Sequence, residues 1–169
     1  LIVYFYYFSL RKKKIPRTNS LYTDALNAMV NGDLSNAVGL LKQVVKQDSN
    51  HVRAYLQLGN ILRKDNPEQA LKIHQSLTVR PNLSKDIQVD IHTALAEDYG
   101  FLSNYKKAIE EAKLVLAIEK RNLWALNFLI NLSVENKDWE EAIRCTKQLQ
   151  KVTGKTTSED EAKFDVFKG

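Results

Sequence analysis

Three histidines, His51, His74 and His92, and one cysteine, Cys145, are the side chains of this chain best suited to hold a metal or attack a carbon centre. Their spacing supports neither role. A zinc site on one helix needs histidines about four residues apart, whereas these stand 23 and 18 residues apart. A single cysteine also excludes an intrachain disulfide and a cysteine-based zinc site within the 169 residues. His74 and Cys145 fall on apolar helical patterns, where a histidine is normally hydrogen-bonded structure and a free cysteine acts as a small buried hydrophobe. There is no glycine-rich phosphate loop, no G-x-S-x-G elbow, and no paired carboxylates among apolar neighbours. Glu110-Glu111 and Glu140-Glu141 are expected near helix starts, where carboxylates favour the dipole. The expectation is a chain with no catalytic residue, no metal ligand and no cofactor of its own, hence not an enzyme.

The remaining chemistry is recognition. Tyr22, Arg53, Asn60, Arg63, Lys64, Glu97, Trp124, Asn127 and Asn131 combine aromatic anchors, amides and charges of both signs. Arg63 and Lys64 suit acidic side chains or a carboxylate on a partner; Tyr22 and Trp124 are aromatics of the kind that dominate interface hot spots. Scattered, they would be solvated side chains. What groups them is a repeat.

Four times an apolar helical stretch meets a polar turn and then a second helix with an alanine in its first turn. Those alanines, Ala37, Ala70, Ala108 and Ala142, are spaced by 33, 38 and 34 residues, clustering on the 34-residue period of tetratricopeptide repeats. Twelve residues before three of them stand Ala25, Ala96 and Ile130, and eleven before Ala70 stands Gly59. Small residues there let the paired helices approach to the short end of the usual 8–10 Å interaxial distance; Ile130 predicts a looser crossing in the fourth pair. Gly and Pro number only six and three, which suits helices joined by short turns. Pro67 fits the first turn of a helix, and Ser84 reads as the N-cap of a long one, with Ile91, Leu95, Ala96 and Tyr99 as its apolar stripe. The fold expected is an all-α, tetratricopeptide-type superhelical solenoid of antiparallel helix pairs. Its concave surface is formed by the first helix of each pair, and the nine recognition residues are those the register turns towards that groove.

The ends read differently. Leu1 to Leu10 is apolar except for Ser9, and the basic cluster Arg11, Lys12, Lys13, Lys14 follows at once. Ten residues are too few to span a bilayer, which takes roughly 20. Aromatics at the boundary and basic residues just after it predict the inner end of a membrane-anchoring helix. A secretory signal would place its charges first. The domains expected are 1–14 for the end of the anchor and its basic cluster, 15–20 for a linker, 21–152 for four helix pairs, and 153–169 for a turn and the start of a fifth. Leu1 in place of Met and the stop at Gly169 read as the ends of a fragment. The net charge of +5 is carried by residues 1–17, which hold five basic and no acidic groups; the other 20 basic residues balance 20 acidic ones. The repeats therefore lack the broad basic face that nucleic acid requires, and no nucleic-acid partner is expected.

One stretch is more specific. Leu58-Gly-Asn-Ile-Leu-Arg63, then Gln69-Ala-Leu-Lys-Ile-His-Gln-Ser-Leu77 and Arg80-Pro-Asn-Leu-Ser84, resembles the second repeat of the lipopolysaccharide assembly protein B family, and Leu95-Ala-Glu-Asp-Tyr99 continues the likeness. The resemblance implies a cytoplasmic repeat array tethered to the inner membrane, presenting the lipid A deacetylase to a membrane-bound AAA protease. It also implies a zinc module with paired CxxC motifs beyond the carboxy-terminal end. The alternative is a generic tetratricopeptide scaffold for envelope assembly or protein quality control, with an unrelated partner. Chaperone-binding tetratricopeptide proteins suggest a third comparison, since Asn60 stands at a clamp-like position. The third pair, however, offers Asp90 and Ala94 where that clamp wants basic groups. Between Arg63 and Ala70 the chain is one residue shorter than the family and has Asn66-Pro67 in place of a glycine turn, so this turn is expected to differ.

Overall fold

The computed structural model describes residues 18–154. The expected anchor, the basic cluster Arg11 to Lys14, the first part of the linker and residues 155–169 lie outside them. Eight helices follow in order: α1 (Thr18–Val30), α2 (Leu34–Gln47), α3 (Val52–Leu62), α4 (Pro67–Thr78), α5 (Lys85–Phe101), α6 (Tyr105–Ile118), α7 (Leu123–Glu135) and α8 (Trp139–Thr153). The described residues contain no strand, as expected. No helix among them is long and apolar enough to cross a membrane.

Each second helix starts the same way. Asp33, Asn66, Asn104 and Asp138 are the N-caps of α2, α4, α6 and α8. Each side chain accepts from the backbone N–H three residues on, at 3.1, 3.1, 3.3 and 3.2 Å. A short polar side chain there satisfies an amide that the helix cannot. Each cap stands four residues before one of the repeat alanines. The residue before the cap is left-handed in three turns, with φ of +77° at Gly32, +57° at Ser103 and +57° at Lys137. The turn before Asn66 has no positive φ. The residue by which the second pair is shorter is thus the left-handed one, and Pro67 holds the first turn of α4 instead.

First helices are capped individually. His51 accepts at Nδ1 from the Ala54 amide, 3.1 Å away. Ser84 accepts from Ile87 N–H at 3.4 Å, and Asn122 from Ala125 N–H at 2.9 Å. Ser84 is therefore the expected cap, and the helix it opens, α5, is the longest of the eight at 17 residues.

The chain packs as two compact units, one ending at Ile61 and the other beginning at Leu62. In the first, α1 packs along α2, with Leu21, Ala25 and Ala28 buried on one and Ala37, Leu41 and Val44 on the other. In the second, α4 to α8 pack each against the next. Ala96, Ala112, Leu126, Leu129 and Cys145 form its central cluster, with Ile109, Leu116, Trp124, Phe128 and Ile130 packed around it. Ala25, Gly59 and Ala96 are buried at the expected crossing positions, whereas Ile130 is half-buried. Cys145 is the buried hydrophobe its pattern predicts. One expectation fails: α6 carries no acid in its first turn. Glu110 and Glu111 sit in its middle, and Glu111 pairs with His92 across the hairpin at 2.7 Å. Glu140 and Glu141 do lie in the first turn of α8.

Candidate partner-binding face and the ion cluster beneath it

The first helices of the third and fourth pairs lie side by side. A Cβ added to Gly100 of α5 would meet the Phe128 ring of α7 at 3.6 Å, and Tyr99 and Leu132 share a buried cluster with Phe128 packed on it. An offset of 34 residues, from Ala96 to Ile130, puts Asp90, Thr93, Glu97, Gly100 and Phe101 in register with Trp124, Asn127, Asn131, Val134 and Glu135. None of these ten is fully buried, while Ala94, Leu95, Ala96, Asp98, Leu126 and Leu129 of the same helices are. Trp124 stacks on Phe128 with ring centroids 4.8 Å apart and planes at 20°. Asn127 is exposed and donates to the Leu123 carbonyl at 2.8 Å, and Asn131 is exposed.

Arg63 and Glu97 meet, and what they form reaches into the core. The guanidinium donates through Nε to Asp98 Oδ1 at 2.6 Å and pairs through Nη1 with Glu97 at 2.8 Å. Through Nη2 it reaches the Ala94 carbonyl at 3.3 Å. Asp98 uses its other oxygen for His74 Nδ1 at 2.5 Å; since a carboxylate only accepts, the imidazole N–H is the donor. His74 and Asp98 are fully buried and Arg63 nearly so, with its side chain 16% exposed. A carboxylate at this depth survives only because charged and hydrogen-bonding partners replace its water. Arg63, expected to meet a partner's carboxylate, therefore already holds two of this chain's own. The cluster has histidine, carboxylate and arginine but encloses no nucleophile, and its solvent-facing edge is Glu97, 36% exposed.

In the first unit, Tyr22 is half-buried on α1 with its ring 4.6 Å from that of His51. Burial raises its phenol above the ordinary value, against the opposing charge of Arg53. Arg53 and Asn60 are exposed on α3, and Lys64 is exposed in the turn that follows it. Ala94, noted in the chaperone-clamp comparison, is buried and offers only a methyl group where that clamp wants a basic side chain. A surface cavity of about 440 Å³ is lined by Thr78, Arg80, Asn82, Leu83, Gln88, Ile91 and His92. Gln88 is engaged by the Leu83 carbonyl and His92 by Glu111, so much of its polar lining is already satisfied internally. Burial pushes the Cys145 thiol up, which leaves it unreactive as a nucleophile.

No group of three or more His, Cys, Asp or Glu among the described residues could hold a metal ion. The zinc module that the family resemblance implies is expected beyond residue 169, and the single cysteine of these residues could not form it.

Two functional features were missed from sequence: Asp98 as the centre of a buried cluster, and the repeating Asp/Asn cap. The first had a signal in an aspartate adjoining the apolar stripe Ile91, Leu95, Ala96, Tyr99; the second in an Asp or Asn four residues before every repeat alanine.

No family model matches the chain. Lipopolysaccharide assembly protein B of Escherichia coli strain K12 is 25% identical over 148 residues, covering 85% of this chain and 38% of the relative. Its counterpart in Haemophilus influenzae is 25% identical over 142 residues, covering 78% and 35%. The resemblance read from Leu58 to Ser84 is thereby borne out, and the chain spans about 38% of the length of the first of these relatives. Among solved structures, MamA from Desulfovibrio magneticus superposes with a TM-score of 0.71 at 18% identity, covering 83% of this chain and 78% of that one. A tetratricopeptide repeat protein from Parabacteroides merdae gives 0.70 at 19%, covering 83% and 55%. YrrB, a tetratricopeptide protein with an unusual peptide-binding site, gives 0.62 at 14%, covering 78% and 66%. The fold is a tetratricopeptide-type helical solenoid.

Proposed function

We propose that this chain is the protein-binding array of a non-catalytic adaptor, working as the lipopolysaccharide assembly proteins B do. In this reading the first-helix faces hold partner proteins: Tyr22, Arg53 and Asn60 in the first unit, Glu97, Trp124, Asn127 and Asn131 in the second, with Lys64 beside the turn. The amino-terminal segment, with Arg11, Lys12, Lys13 and Lys14, ties the array to the cytoplasmic face of the inner membrane. The partners are then a membrane protease and the lipid A deacetylase that it degrades. The observation that carries this is the likeness itself, which runs over 85% of the chain.

The experiment is copurification of the full-length gene product from membranes. The adaptor reading expects a membrane-bound AAA protease in the eluate and a rise of the lipid A deacetylase when the gene is deleted. It also expects about one zinc per chain from a four-cysteine module outside these residues. A full-length product without zinc or protease, and a deacetylase level that does not move, would leave the generic scaffold. What favours that second reading is the fold's superposition on tetratricopeptide proteins of other kinds, with TM-scores of 0.70 and 0.71. A cysteine-labelling assay that placed the repeats in the periplasm would exclude the first reading outright.

A further inference from the structure

The turn between α5 and α6 carries exposed side chains that the partner-binding reading leaves unused. Phe101 closes α5 54% exposed, and Tyr105 opens α6 36% exposed. Ser103 is left-handed and Asn104 caps α6, so the two aromatics stand at the ends of one tight turn. Lys106 and Lys107 follow at once, both exposed. The Lys107 ammonium lies 5.2 Å from the centre of the Tyr99 ring, a contact that leaves its charge intact. Neither lysine pairs with a carboxylate of the described residues. Asp98 is buried under Arg63 and His74, and the next acid along the chain is Glu110, a turn further on α6.

The equivalent turns of the other pairs lack this combination. Lys64 is followed by Asp65 and Glu68, and Lys137 stands among Glu135, Asp138 and Glu140. The turn from Val30 to Leu34 exposes two apolar side chains but has no lysine.

Exposed aromatics beside unpaired lysines suit one kind of surface. Protein interfaces enrich aromatics but deplete lysine. The polar boundary of a bilayer takes both, with rings at headgroup level and lysines against anionic lipid. Two rings and two lysines make a shallow, weak contact. It counts for a chain already held at the membrane by another element, because the second contact is then intramolecular.

We propose that the α5–α6 turn is a membrane-surface contact. Phe101 and Tyr105 sit at the headgroup boundary of an anionic bilayer, and Lys106 and Lys107 meet its negative charge. The proposal rests on the tethered-adaptor reading, which supplies the first anchor, and it names the edge of the second unit that faces lipid.

The test uses the full chain in phosphatidylcholine vesicles, with and without phosphatidylglycerol. A polarity-sensitive dye is attached at Ser103→Cys or, at the far end of α6, at Lys120→Cys; the parent chain treated with dye checks that buried Cys145 stays unlabelled. The dye at 103 is expected to shift to the blue and brighten severalfold in the phosphatidylglycerol vesicles, and the dye at 120 to stay unchanged. Added salt should reverse the gain. Lys106→Glu and Phe101→Ser should each cut it severalfold, with far-ultraviolet circular dichroism matching the parent. No change at 103 in a chain that floats with the vesicles would overturn the contact and leave the tether standing. A chain that does not float at all would sink the tether reading and this proposal with it. An equal gain without phosphatidylglycerol would overturn the anionic partner. Equal gains at 103 and 120, or a gain that neither substitution lowers, would put the contact elsewhere and overturn it. A change at 103 that grows with protein concentration in detergent, without lipid, would make the occupant a second copy of the chain and overturn the lipid surface.

Discussion

Two ion clusters in the second unit use similar side chains and do different work. Arg63, Asp98, Glu97 and His74 join residues 24 to 35 positions apart, and Asp98 is fully buried. Lys113, Glu141 and Arg144 meet at 3.1 and 2.6 Å on the surface, with the Lys113 and Arg144 side chains half-exposed. The first cluster ties the turn before α4, the middle of α4 and α5 into one arrangement, because breaking it strands a charge at the fully buried Asp98 site. The second only trims a surface. Its parts are a helix neighbour three residues away and one lysine from α6, each of which water can replace. The contrast also bears on the family likeness. Arg63, His74 and Asp98 lie within three of the four stretches that carry it, so part of what looks specific to a pathway is a device of the core.

The largest effect expected is at Asp98. Asp98→Ala removes the acceptor of both Arg63 Nε and His74 Nδ1 and leaves them facing each other, at a cost of about 3–5 kcal/mol. Urea denaturation should show this as a lower midpoint with an unchanged slope. Rebuilding the site as Arg63→Met, His74→Leu and Asp98→Leu together should recover most of that loss, since a packed apolar site is often as stable as the ion cluster it replaces. If the triple variant is as unstable as the single one, the cluster is needed for stability itself. If it is stable but binds partners poorly, its value lies in holding Glu97.

Next in size is Arg63→Met, which keeps the apolar stem and deletes the guanidinium. Asp98 retains His74, so the loss is expected at about 2–3 kcal/mol, the worth of hydrogen bonds to a charged group. Smaller than Asp98→Ala, it would show the carboxylate to be the hub. Equal costs would mean that His74 contributes nothing alone.

The sequence made the architecture readable because a repeat writes the same physical constraint several times. Ala37, Ala70, Ala108 and Ala142 mark where each second helix packs; all four are buried, and any one alone would have meant little. Ser84, Pro67 and the length of α5 were readable through local chemistry, for caps and first turns depend only on near neighbours. The site was less readable, for the opposite reason. Asp98 finds its partners 24 and 35 residues back, and no local pattern tells a groove arginine from one drawn under the groove by such a carboxylate. Arg63 and Glu97 were both placed on the face, but their pairing was invisible. Glu111 was assigned to a helix start from its Glu-Glu neighbour, whereas the true start is fixed by Asn104, seven residues earlier.

The smallest effect belongs to the surface cluster, and pH measures it. Hydrogen bonds and charge from Arg144, joined by Lys113 and opposed by partial burial, hold the Glu141 carboxyl down at about 2 against an ordinary 4.5. A carboxyl acidified by folding favours the folded state while it is ionised. Its contribution is therefore complete above about 4.5 and is lost as the pH falls from there towards 2. Because water and salt screen the half-exposed cations, the whole contribution should be about 0–1 kcal/mol, far below the shift taken at face value. The comparison to make is between the parent and Glu141→Gln, denatured in urea at pH 7 and again near pH 2.5, each at low and high salt. The two proteins should differ by that small amount at pH 7 and low salt, and converge when either the acid or the salt is added. A gap of several kcal/mol that persists in high salt would mean the surface cluster behaves like the buried one, and exposure would no longer account for the difference between them.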